Sequence, residues 1–328
     1  MLINLTSTAD ANSVKKALTG LGLWLETLLD QDGTATGFIV KGHSTPVDPE
    51  KITAVDGVGH IFKTESQHPK VDLKCHKSVD VGGLQFRPAA PTLIAGPCSI
   101  DSEERIESIA SQVARAGGKV LRGGAYKPRT SPYSFSGFGA PALQWMRRAA
   151  DRHQLRIVTE VMSEHDVKTV ADITDIVQVG SRNMQNFALL RQVGEAKKCV
   201  MLKRGRSATV SEWLMAAEYL YASGADSVLF CERGIRGFDN ETRNLIDLGA
   251  VALLSHHYGL PVIVDPSHAA GRRDLVVPLS KASIAAGAVG VMVEVHPDPS
   301  TALSDGPQAL SYETLRHLSK SLELECIE

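Results

Sequence analysis

Four residues at or after the ends of apolar segments have the side chains that a divalent metal ion prefers. Cys98 and His268 each follow a short apolar run, Glu294 lies near the end of a third, and Asp305 comes after it. One thiolate, one imidazole and two carboxylates can form a metal shell, and this mixture suits Mn, Fe, Co or Zn. Each residue alone has an ordinary structural role, such as a buried thiol or a helix cap. The prediction of a metal site therefore depends on a fold that brings the four together.

Basic side chains collect at similar places, although the whole chain carries a formal net charge of only -2. Arg122, Lys203 and Arg233 lie directly at the ends of predicted apolar strands, where solvated charges are less expected. Guanidinium and ammonium groups are the usual clamps for phosphate and carboxylate. We therefore expect one or two substrates with several negative charges. The basic candidates are Arg122, Lys127, Arg129, Arg182, Lys203, Arg204, Arg233, Arg236, Arg272 and Arg273.

The segments that must position these residues alternate, from residue 91 onward, between short apolar runs and stretches with helical periodicity. Apolar runs without polar alternation are typical of parallel strands covered on both faces. Eight such units predict a closed (β/α)8 barrel, the TIM-barrel fold, in which all strands end at one mouth. An open doubly wound sheet is the alternative, but no G-x-G-x-x-G follows any strand. The predicted strands are 92–95, 120–123, 156–161, 176–180, 200–203, 227–232, 261–265 and 289–295.

Closure of such a barrel makes its first strand a neighbour of its last. Cys98, His268 and Glu294 belong to the ends of predicted strands one, seven and eight, and Asp305 lies in the loop after strand eight. The barrel therefore gathers four scattered residues into one candidate metal site.

Residues 1–68 have a different rhythm and are predicted to form a separate α+β domain. Their order of strand, helix, two strands, helix and strand is typical of a ferredoxin-like or ACT-like module. Residues 69–90 are assigned to a linker and a cap with a short hairpin around Gly82-Gly83, and the catalytic barrel to 91–328. The predicted strands of the first domain are 2–6, 22–30, 35–42 and 57–64, and its helices are 11–21 and 47–55.

The bulk composition, with 43% hydrophobic and 22% charged residues, is that of an ordinary globular protein. The near-neutral charge provides no field that favours nucleic acid or an anionic membrane. No apolar run is long enough to span a bilayer, and the N-terminus lacks the pattern of a signal peptide. We therefore expect a cytoplasmic protein without nucleic-acid or membrane partners. Five cysteines without a C-x-x-C pair argue against a disulfide framework.

Longer ordered motifs surround the candidate residues. They are Gly-Pro-Cys-Ser at 96–99, Leu-Arg-Gly-Gly-Ala-Tyr-Lys-Pro-Arg-Thr-Ser-Pro at 121–132, Leu-Lys-Arg-Gly at 202–205, Cys-Glu-Arg-Gly-Ile-Arg at 231–236, Asp-Pro-Ser-His at 265–268, Gly-Arg-Arg-Asp at 271–274 and Glu-Val-His-Pro at 294–297. Together they resemble 3-deoxy-D-arabino-heptulosonate 7-phosphate (DAHP) synthase over about residues 70–320. The type I beta subgroup, in which some members carry a small N-terminal regulatory domain, is the most similar.

The resemblance implies a transferase that condenses phosphoenolpyruvate with erythrose 4-phosphate, at the start of the shikimate pathway to aromatic amino acids. It implies one divalent metal ion, Mn²⁺ in the first place, with Fe²⁺, Co²⁺ or Zn²⁺ as alternatives. By the family's pattern the metal ligands are Cys98, His268, Glu294 and Asp305. The positions that match the phosphoenolpyruvate site are Arg122, Lys127, Arg182, Lys203 and Arg233. Those that match the site of the second substrate are Arg129 and Thr130 at its phosphate, and Asp265 and Cys98 near its aldehyde.

The chemistry suggests proton-transfer roles as well. Lys127 can donate a proton to the new hydroxyl group, and Glu160 or Glu232 can position the water that adds to carbon 2 of phosphoenolpyruvate. The catalytic candidates are Lys127, Glu160, Cys98 and His268.

Two other functions are alternatives. The sister enzyme, which uses arabinose 5-phosphate to make a 3-deoxy-octulosonate phosphate, typically has Lys-Ala-Asn-Arg-Ser where this chain has Lys127-Pro128-Arg129-Thr130. That difference lies at the phosphate of the aldehyde substrate and favours erythrose 4-phosphate. A non-catalytic barrel that senses a phosphorylated metabolite is the other alternative, and the presence of all four metal-ligand candidates argues against it.

Residues 1–68 lack the all-helical pattern of a fused chorismate mutase and resemble the regulatory domain of some family members. This resemblance predicts feedback inhibition by tyrosine or phenylalanine, bound between such domains of neighbouring subunits. The alternative is a folding or oligomerisation cap. The family resemblance also suggests a homotetramer.

Overall fold

The computed structural model describes residues 1–30, 32–62, 66–75, 78–88, 90–127, 133 and 135–324. The chain divides into two compact units, Met1–Gln67 and His68–Glu328. Within the described ranges, no helix has the length and apolar character needed to cross a membrane.

The first unit is a four-stranded antiparallel sheet with two helices. Its strand order is β2-β3-β1-β4, and the order of elements along the chain is the predicted one, so the ferredoxin-like class is confirmed. Ile3 and Phe38 of the sheet pack against Leu18 and Ile52 of the helices to form its core. The elements are β1 (Leu2–Leu5), α1 (Ala11–Gly20), β2 (Leu25–Leu29), β3 (Ala35–Val40), α2 (Pro49–Thr53) and β4 (Val58–Phe62).

The second unit begins with the short helix α3 (Pro69–Asp72) and a hairpin of β5 (Val79–Val81) and β6 (Leu84–Phe86). Gly82 and Gly83 form the turn with φ angles of 57° and 90°, which glycine adopts without steric cost. The hairpin therefore lies where the glycine pair predicts it.

Eight parallel strands then close into a barrel, so the open-sheet alternative is wrong. Each strand lies within one residue of its predicted bounds. The strands are β7 (Thr92–Gly96), β8 (Val120–Arg122), β9 (Arg156–Val161), β10 (Ile176–Val179), β11 (Cys199–Lys203), β12 (Ser227–Glu232), β13 (Val262–Val264) and β14 (Gly290–Glu294). The main helices around them are α4 (Glu103–Arg115), α5 (Ala140–Arg152), α6 (Val167–Ile173), α7 (Phe187–Glu195), α8 (Val210–Ala222), α9 (Leu248–Ala252), α10 (Pro266–Ala270), α11 (Val276–Ala285) and α12 (Tyr312–Ser321).

Two apolar clusters fill this unit. The larger cluster lies between the strands and the surrounding helices, as expected for strands that are covered on their outer face. The smaller one joins Val79, Val81 and Phe86 of the hairpin to interior side chains such as Val120 and Cys199, the first residues of β8 and β11. The hairpin thus closes the amino-terminal end of the barrel, and the opposite end is left for polar groups.

Candidate active site at the mouth of the barrel

Several strands end in charged residues that are buried at the carboxyl-terminal mouth of the barrel. Arg122 ends β8, Lys203 ends β11 and Glu294 ends β14, and each side chain is almost fully buried. A buried charge is costly unless opposite charges and hydrogen bonds compensate for the lost water. The partners of these groups therefore define the site.

The candidate metal ligands converge here. Donor atoms of Cys98, Glu294 and Asp305 all lie within 4.8 Å of one another. His268 Nε2 lies 3.4 Å from Glu294 Oε1 and 4.0 Å from Asp305 Oδ2. A thiol and two carboxylates in one cluster, with an imidazole beside both carboxylates, form a donor set that fits a divalent metal of the Mn, Fe, Co or Zn type.

The imidazole of His268 is oriented by the residue that begins its helix. Asp265 is the N-cap of α10 and its Oδ1 accepts a hydrogen bond from His268 N at 3.0 Å, while its Oδ2 lies 2.7 Å from His268 Nδ1. A carboxylate oxygen can only accept, so Nδ1 carries a proton and Nε2 is left to bind a metal. This carboxylate–histidine pair is the usual support for a metal-bound imidazole.

The acid groups of the cluster differ in their protonation. Burial, and then the neighbouring Glu294 carboxylate, raise the pKa of Cys98 to about 12, and Lys127 opposes this rise only in part. Burial also opposes the ionisation of Glu294 and Asp305, yet nearby groups that include His268 lower the pKa of both carboxyls. The cluster therefore combines two carboxylates with a neutral thiol, which donates to Asp305 Oδ2 at 3.0 Å.

Two cations lie against this cluster. Arg122 Nη1 donates to Glu294 Oε1 at 2.6 Å, and among the described residues its buried Nε has no hydrogen-bond partner. Lys127 Nζ lies 2.8 Å from Cys98 O and 3.0 Å from Cys98 Sγ. A buried guanidinium nitrogen without a partner is unusual in a folded protein. It indicates that Arg122 has a donor left for a bound anion.

A second buried ion pair lies beside the first. Lys203 Nζ donates to Asp265 Oδ2, the same oxygen that faces His268. Burial opposes the charge of Asp265, but His268 and Lys203 together hold the pKa of this carboxyl well below its usual range. A continuous chain of polar contacts thus runs from Lys203 through Asp265 and His268 to Glu294 and Arg122.

Further arginines make the mouth strongly positive. Arg233 is 5% exposed, its side chain donates only to Gly234 O at 3.4 Å among the described residues, and burial lowers its pKa. Arg182, Arg206 and Arg236 line one open cavity of about 290 Å³. Partial burial and then the neighbouring Arg236 and Arg182 lower the pKa of Arg206. Such a group of like charges favours the approach of anionic ligands.

Two glutamates were candidates for positioning water, and the structure separates them. Glu232 is fully buried, where it accepts hydrogen bonds from Arg204 Nη1 at 3.0 Å and Gly234 N at 2.6 Å. Both of its oxygens are used within the protein, so it is not suited to that role. Glu160 is only partly buried and accepts from Gln178 Nε2 at 3.2 Å through one oxygen. Among the described residues, Glu160 therefore keeps one carboxylate oxygen without a hydrogen-bond partner.

The comparisons with known proteins agree with this geometry. A model of the DAHP synthetase I family matches residues 86–326. The chain belongs to this family. It is 42% identical over 317 residues to the phospho-2-dehydro-3-deoxyheptonate aldolase of Thermotoga maritima, with 96% of this chain and 93% of that protein covered. The crystal structure of that aldolase, a DAHP synthase, matches with a TM-score of 0.76 and 39% identity, over 98% of this chain and 96% of the other.

A more distant relative carries the name of the sister enzyme. The 2-dehydro-3-deoxyphosphooctonate aldolase of Acidithiobacillus ferrooxidans is 29% identical over 250 residues, with 70% of this chain and 88% of that protein covered. The Thermotoga protein is more similar and its match extends over the first unit as well. The predicted family and its type I beta subgroup are therefore confirmed.

DAHP synthetase I membership implies a divalent metal in general, and the Cys98, Glu294 and Asp305 cluster is where this chain can hold one. The other predicted residues of this family member fall into three groups. The first group has direct contacts with that cluster or among its own members, and it consists of Lys127, Arg122, Lys203, Asp265 and His268. Arg182, Arg233 and Glu160 share no direct contact with it. Arg129 and Thr130 lie outside the described residues.

Two residues beside the candidate metal ligands of this chain were not expected from the sequence. Gln308 donates to Glu294, and Arg243 contacts both Gln308 and Asp305. Neither residue ends a strand, so the rule that located the other candidates could not find them. Arg204 had been grouped with the substrate clamps, but its guanidinium is held by Glu232 and Asp247.

Proposed function

We propose that this protein condenses phosphoenolpyruvate with erythrose 4-phosphate to give DAHP and inorganic phosphate, the first reaction of the shikimate pathway. The observation that carries the proposal is the convergence of a thiol, an imidazole and two carboxylates with buried cations at one barrel mouth. The identity of 42% to a heptonate aldolase, against 29% to a phosphooctonate aldolase, supports the four-carbon aldehyde.

The buried cations are suited to hold phosphoenolpyruvate. This substrate carries a carboxylate and a phosphate, and both bind well to guanidinium and ammonium groups that have lost water. Among the described residues, Arg122 has an unpartnered buried nitrogen and Arg233 has no carboxylate within ion-pair distance. Lys203 and the more exposed Arg182 complete the proposed anion clamp. Arg129 and Thr130 are proposed to hold the phosphate of erythrose 4-phosphate on the basis of the family motif alone.

The proposed bond changes follow from the substrates. Carbon 3 of phosphoenolpyruvate forms a bond to the aldehyde carbon of erythrose 4-phosphate, whose carbonyl oxygen takes up a proton and becomes a hydroxyl group. Water then adds to the positively charged carbon 2 and loses one proton. The bond from carbon 2 to the phosphate oxygen breaks, the remaining hydroxyl proton passes to the departing inorganic phosphate, and carbon 2 becomes a ketone. A divalent metal held by Cys98, His268, Glu294 and Asp305 would supply a Lewis acid for the aldehyde.

Two side chains are proposed to move or hold the protons. Lys127 Nζ lies 3.0 Å from Cys98 Sγ, so it is beside the aldehyde end of the site and can protonate the new hydroxyl oxygen. Glu160 has one oxygen without a hydrogen-bond partner among the described residues and can orient the attacking water. Asp265 keeps His268 oriented and holds Lys203 in the clamp.

The native metal is proposed to be Mn²⁺, because two carboxylates and one imidazole are ligands that this ion accepts readily. Fe²⁺, Co²⁺ and Zn²⁺ fit the same four groups and are the alternatives. After treatment with a chelator, the protein is expected to lose activity. Of the four ions added back separately, the native one should restore the most activity. Equal activity with and without chelator would argue against a metal-dependent reaction.

The experiment that tests the function is a product assay with erythrose 4-phosphate and, separately, arabinose 5-phosphate. We expect phosphoenolpyruvate-dependent formation of the seven-carbon product and a large loss of activity in Cys98→Ala. Preference for arabinose 5-phosphate would support the sister reaction. No product from either aldehyde, with phosphoenolpyruvate still bound, would support a sensing barrel.

For the first unit we propose feedback inhibition by tyrosine or phenylalanine in a homotetramer. The ferredoxin-like order of its elements and the Thermotoga match over the whole chain support this role. Deletion of residues 1–67, which ends at the division between the units, should give an active enzyme that neither amino acid inhibits. Unchanged inhibition after the deletion would place the effector site in the barrel.

A further inference from the structure

We propose that Gln308 and Arg243 are positioning residues that hold the two carboxylate ligands, Glu294 and Asp305, in place for the metal. This inference rests on the proposed function, because it takes these carboxylates as metal ligands. Neither residue ends a strand: Gln308 is the last residue of a short 3-10 helix after β14, and Arg243 lies in the connection between β12 and α9.

Gln308 acts on Glu294. Its side chain is 3% exposed, and its Nε2 donates to Glu294 Oε2 at 2.5 Å. The other oxygen of the same carboxylate accepts from Arg122 Nη1 at 2.6 Å. Glu294 is therefore held from both sides, which fixes the plane of its carboxylate as well as its position.

The amide of Gln308 can adopt only one orientation in these surroundings. Its Oε1 accepts from Arg243 Nη1 at 3.2 Å, while its Nε2 faces the carboxylate of Glu294. A guanidinium only donates and a carboxylate only accepts, so a flipped amide would lose both hydrogen bonds. The arginine therefore determines which end of Gln308 meets Glu294.

Arg243 acts on the second carboxylate as well. Its Nη1 lies 3.4 Å from Asp305 Oδ1, while Asp305 Oδ2 faces the thiol of Cys98. Asp305 has a φ of 52°, a left-handed conformation that aspartate tolerates but that few other residues adopt. The guanidinium thus links Asp305 to Gln308, and through Gln308 to Glu294.

The backbone of Arg243 is anchored to the helix that carries His268. Arg243 N donates to Ala270 O at 3.0 Å, and the next residue, Asn244, donates from its side chain to His268 O at 3.0 Å. The segment that presents the guanidinium is therefore tied to a third metal-ligand candidate. The short segment that contains Arg243 and Asn244 therefore opposes movement of Glu294, Asp305 and His268.

Such supporting contacts matter because a metal binds more tightly when its ligands need no reorganisation. Removal of a partner that orients a metal ligand typically weakens metal affinity by about 10- to 100-fold. The expected effect is on binding of the ion, and turnover should recover when the ion is in excess. A residue that merely maintained the fold would show no such recovery.

The test is a Mn²⁺ titration of the full-length, chelator-treated protein, with free Mn²⁺ measured by its paramagnetic resonance. Gln308→Met, which keeps the length of the side chain but removes both hydrogen bonds, should weaken binding about 10- to 100-fold. Its turnover should return to near the wild-type value at saturating Mn²⁺. Gln112→Met is the matched control, because Gln112 also accepts from an arginine, Arg316 Nη1 at 3.3 Å, but on the outside of the barrel.

Arg243→Met gives a second measurement, because this side chain is 43% exposed and lies outside the apolar core. We expect weaker Mn²⁺ binding, and a loss in the double variant that is smaller than the product of the two single losses. This variant carries the test alone if Gln308→Met does not fold.

The outcomes separate this inference from the proposed function. Wild-type protein that binds no Mn²⁺, or binds it equally well after Cys98→Ala, would overturn both. Tight wild-type binding that depends on Cys98, with Gln308→Met or Arg243→Met within twofold of wild type, would overturn this inference alone.

Discussion

The two ends of the barrel are built from the same strands but from opposite kinds of side chain. β11 begins at Cys199, inside the apolar cluster with Phe86 of the hairpin, and ends at Lys203, which is paired with Asp265. In the cluster at the bottom the buried side chains are apolar and packed, whereas at the mouth buried charges contact one another in a chain. The comparison indicates that one end of the barrel contributes mainly to stability, and that the other end carries the groups proposed to do the chemistry.

The energetics of the two ends differ accordingly. Burial of apolar surface at the bottom contributes about 25 cal/mol per Å² to folding. At the mouth, desolvation of Arg122, Lys203, Glu294 and Asp265 costs free energy, which their ion pairs only offset. The mouth therefore adds little net stability, and replacement of a residue there that belongs to no buried ion pair should change activity much more than stability.

Lys127→Met, at the mouth, should give the largest loss of turnover with only a small loss of stability. Loss of a proton donor typically lowers turnover by about 10²- to 10⁴-fold. The free energy of unfolding should fall by only about 2 kcal/mol, since the hydrogen bonds to Cys98 O and Cys98 Sγ are lost. Turnover at saturating substrates and denaturant unfolding are the two measurements. Near-normal turnover would show that Lys127 is not the acid.

Phe86→Ala should show the opposite behaviour at the bottom. Phe86 is 1% exposed in the hairpin that closes the barrel, and truncation of a buried phenylalanine costs about 3–5 kcal/mol. Turnover measured well below the unfolding temperature should stay near wild type. Phe86→Leu, which keeps most of the volume, is the control and should cost less. A folded Phe86→Ala protein with low turnover would contradict the separation of the two ends.

Gly180→Ala should have a smaller effect on turnover and almost none on stability. A Cβ at Gly180 would lie 1.9 Å from Glu160 Oε1, so the carboxylate must move while the backbone can stay. If Glu160 positions the attacking water, turnover should fall by up to about 10²-fold, as expected for a catalytic group that is displaced by about 1 Å. The effect should vanish in the background of Glu160→Gln. Additive losses in the double variant would mean that Gly180 acts by another route.

The barrel and its mouth were predictable because both depend on position along a strand. Eight apolar runs predicted the strands, and the polar residues at or after their ends predicted Cys98, Lys203 and Glu294 as candidate site residues. The sequence could not show the direction of neighbouring side chains. Lys203 joins the site while Arg204 is held by Glu232 and Asp247, because adjacent residues at the end of a strand point in different directions.

The supporting contacts were also beyond the sequence. Gln308 and Arg243 are 65 positions apart, and they meet Glu294 only because the loops around the mouth fold onto each other. Neither residue type suggests a metal site, and neither follows an apolar run. Their roles depend on distances of about 3 Å between loops, which no spacing pattern encodes.

Cys199→Ala should produce the smallest effect, and one that depends on pH. Cys199 is 5% exposed, and burial raises the pKa of its thiol from 9.0 to about 12. Between these values the unfolded chain loses the thiol proton while the folded protein keeps it. The stabilisation from this thiol is therefore complete below pH 9 and is lost as the pH rises towards 12, by at most about 1.4 kcal/mol per pH unit.

The measurement is the difference in unfolding free energy between wild type and Cys199→Ala at pH 7 and at several values up to pH 10.5. At pH 7 the difference reports only the lost packing of the thiol, because both states are protonated there. The difference in unfolding free energy should shrink as the pH rises, since only the wild type loses stability through ionisation of the Cys199 thiol in the unfolded chain. A difference that stays constant with pH would mean that water reaches the bottom of the barrel, and that the hairpin does not close it.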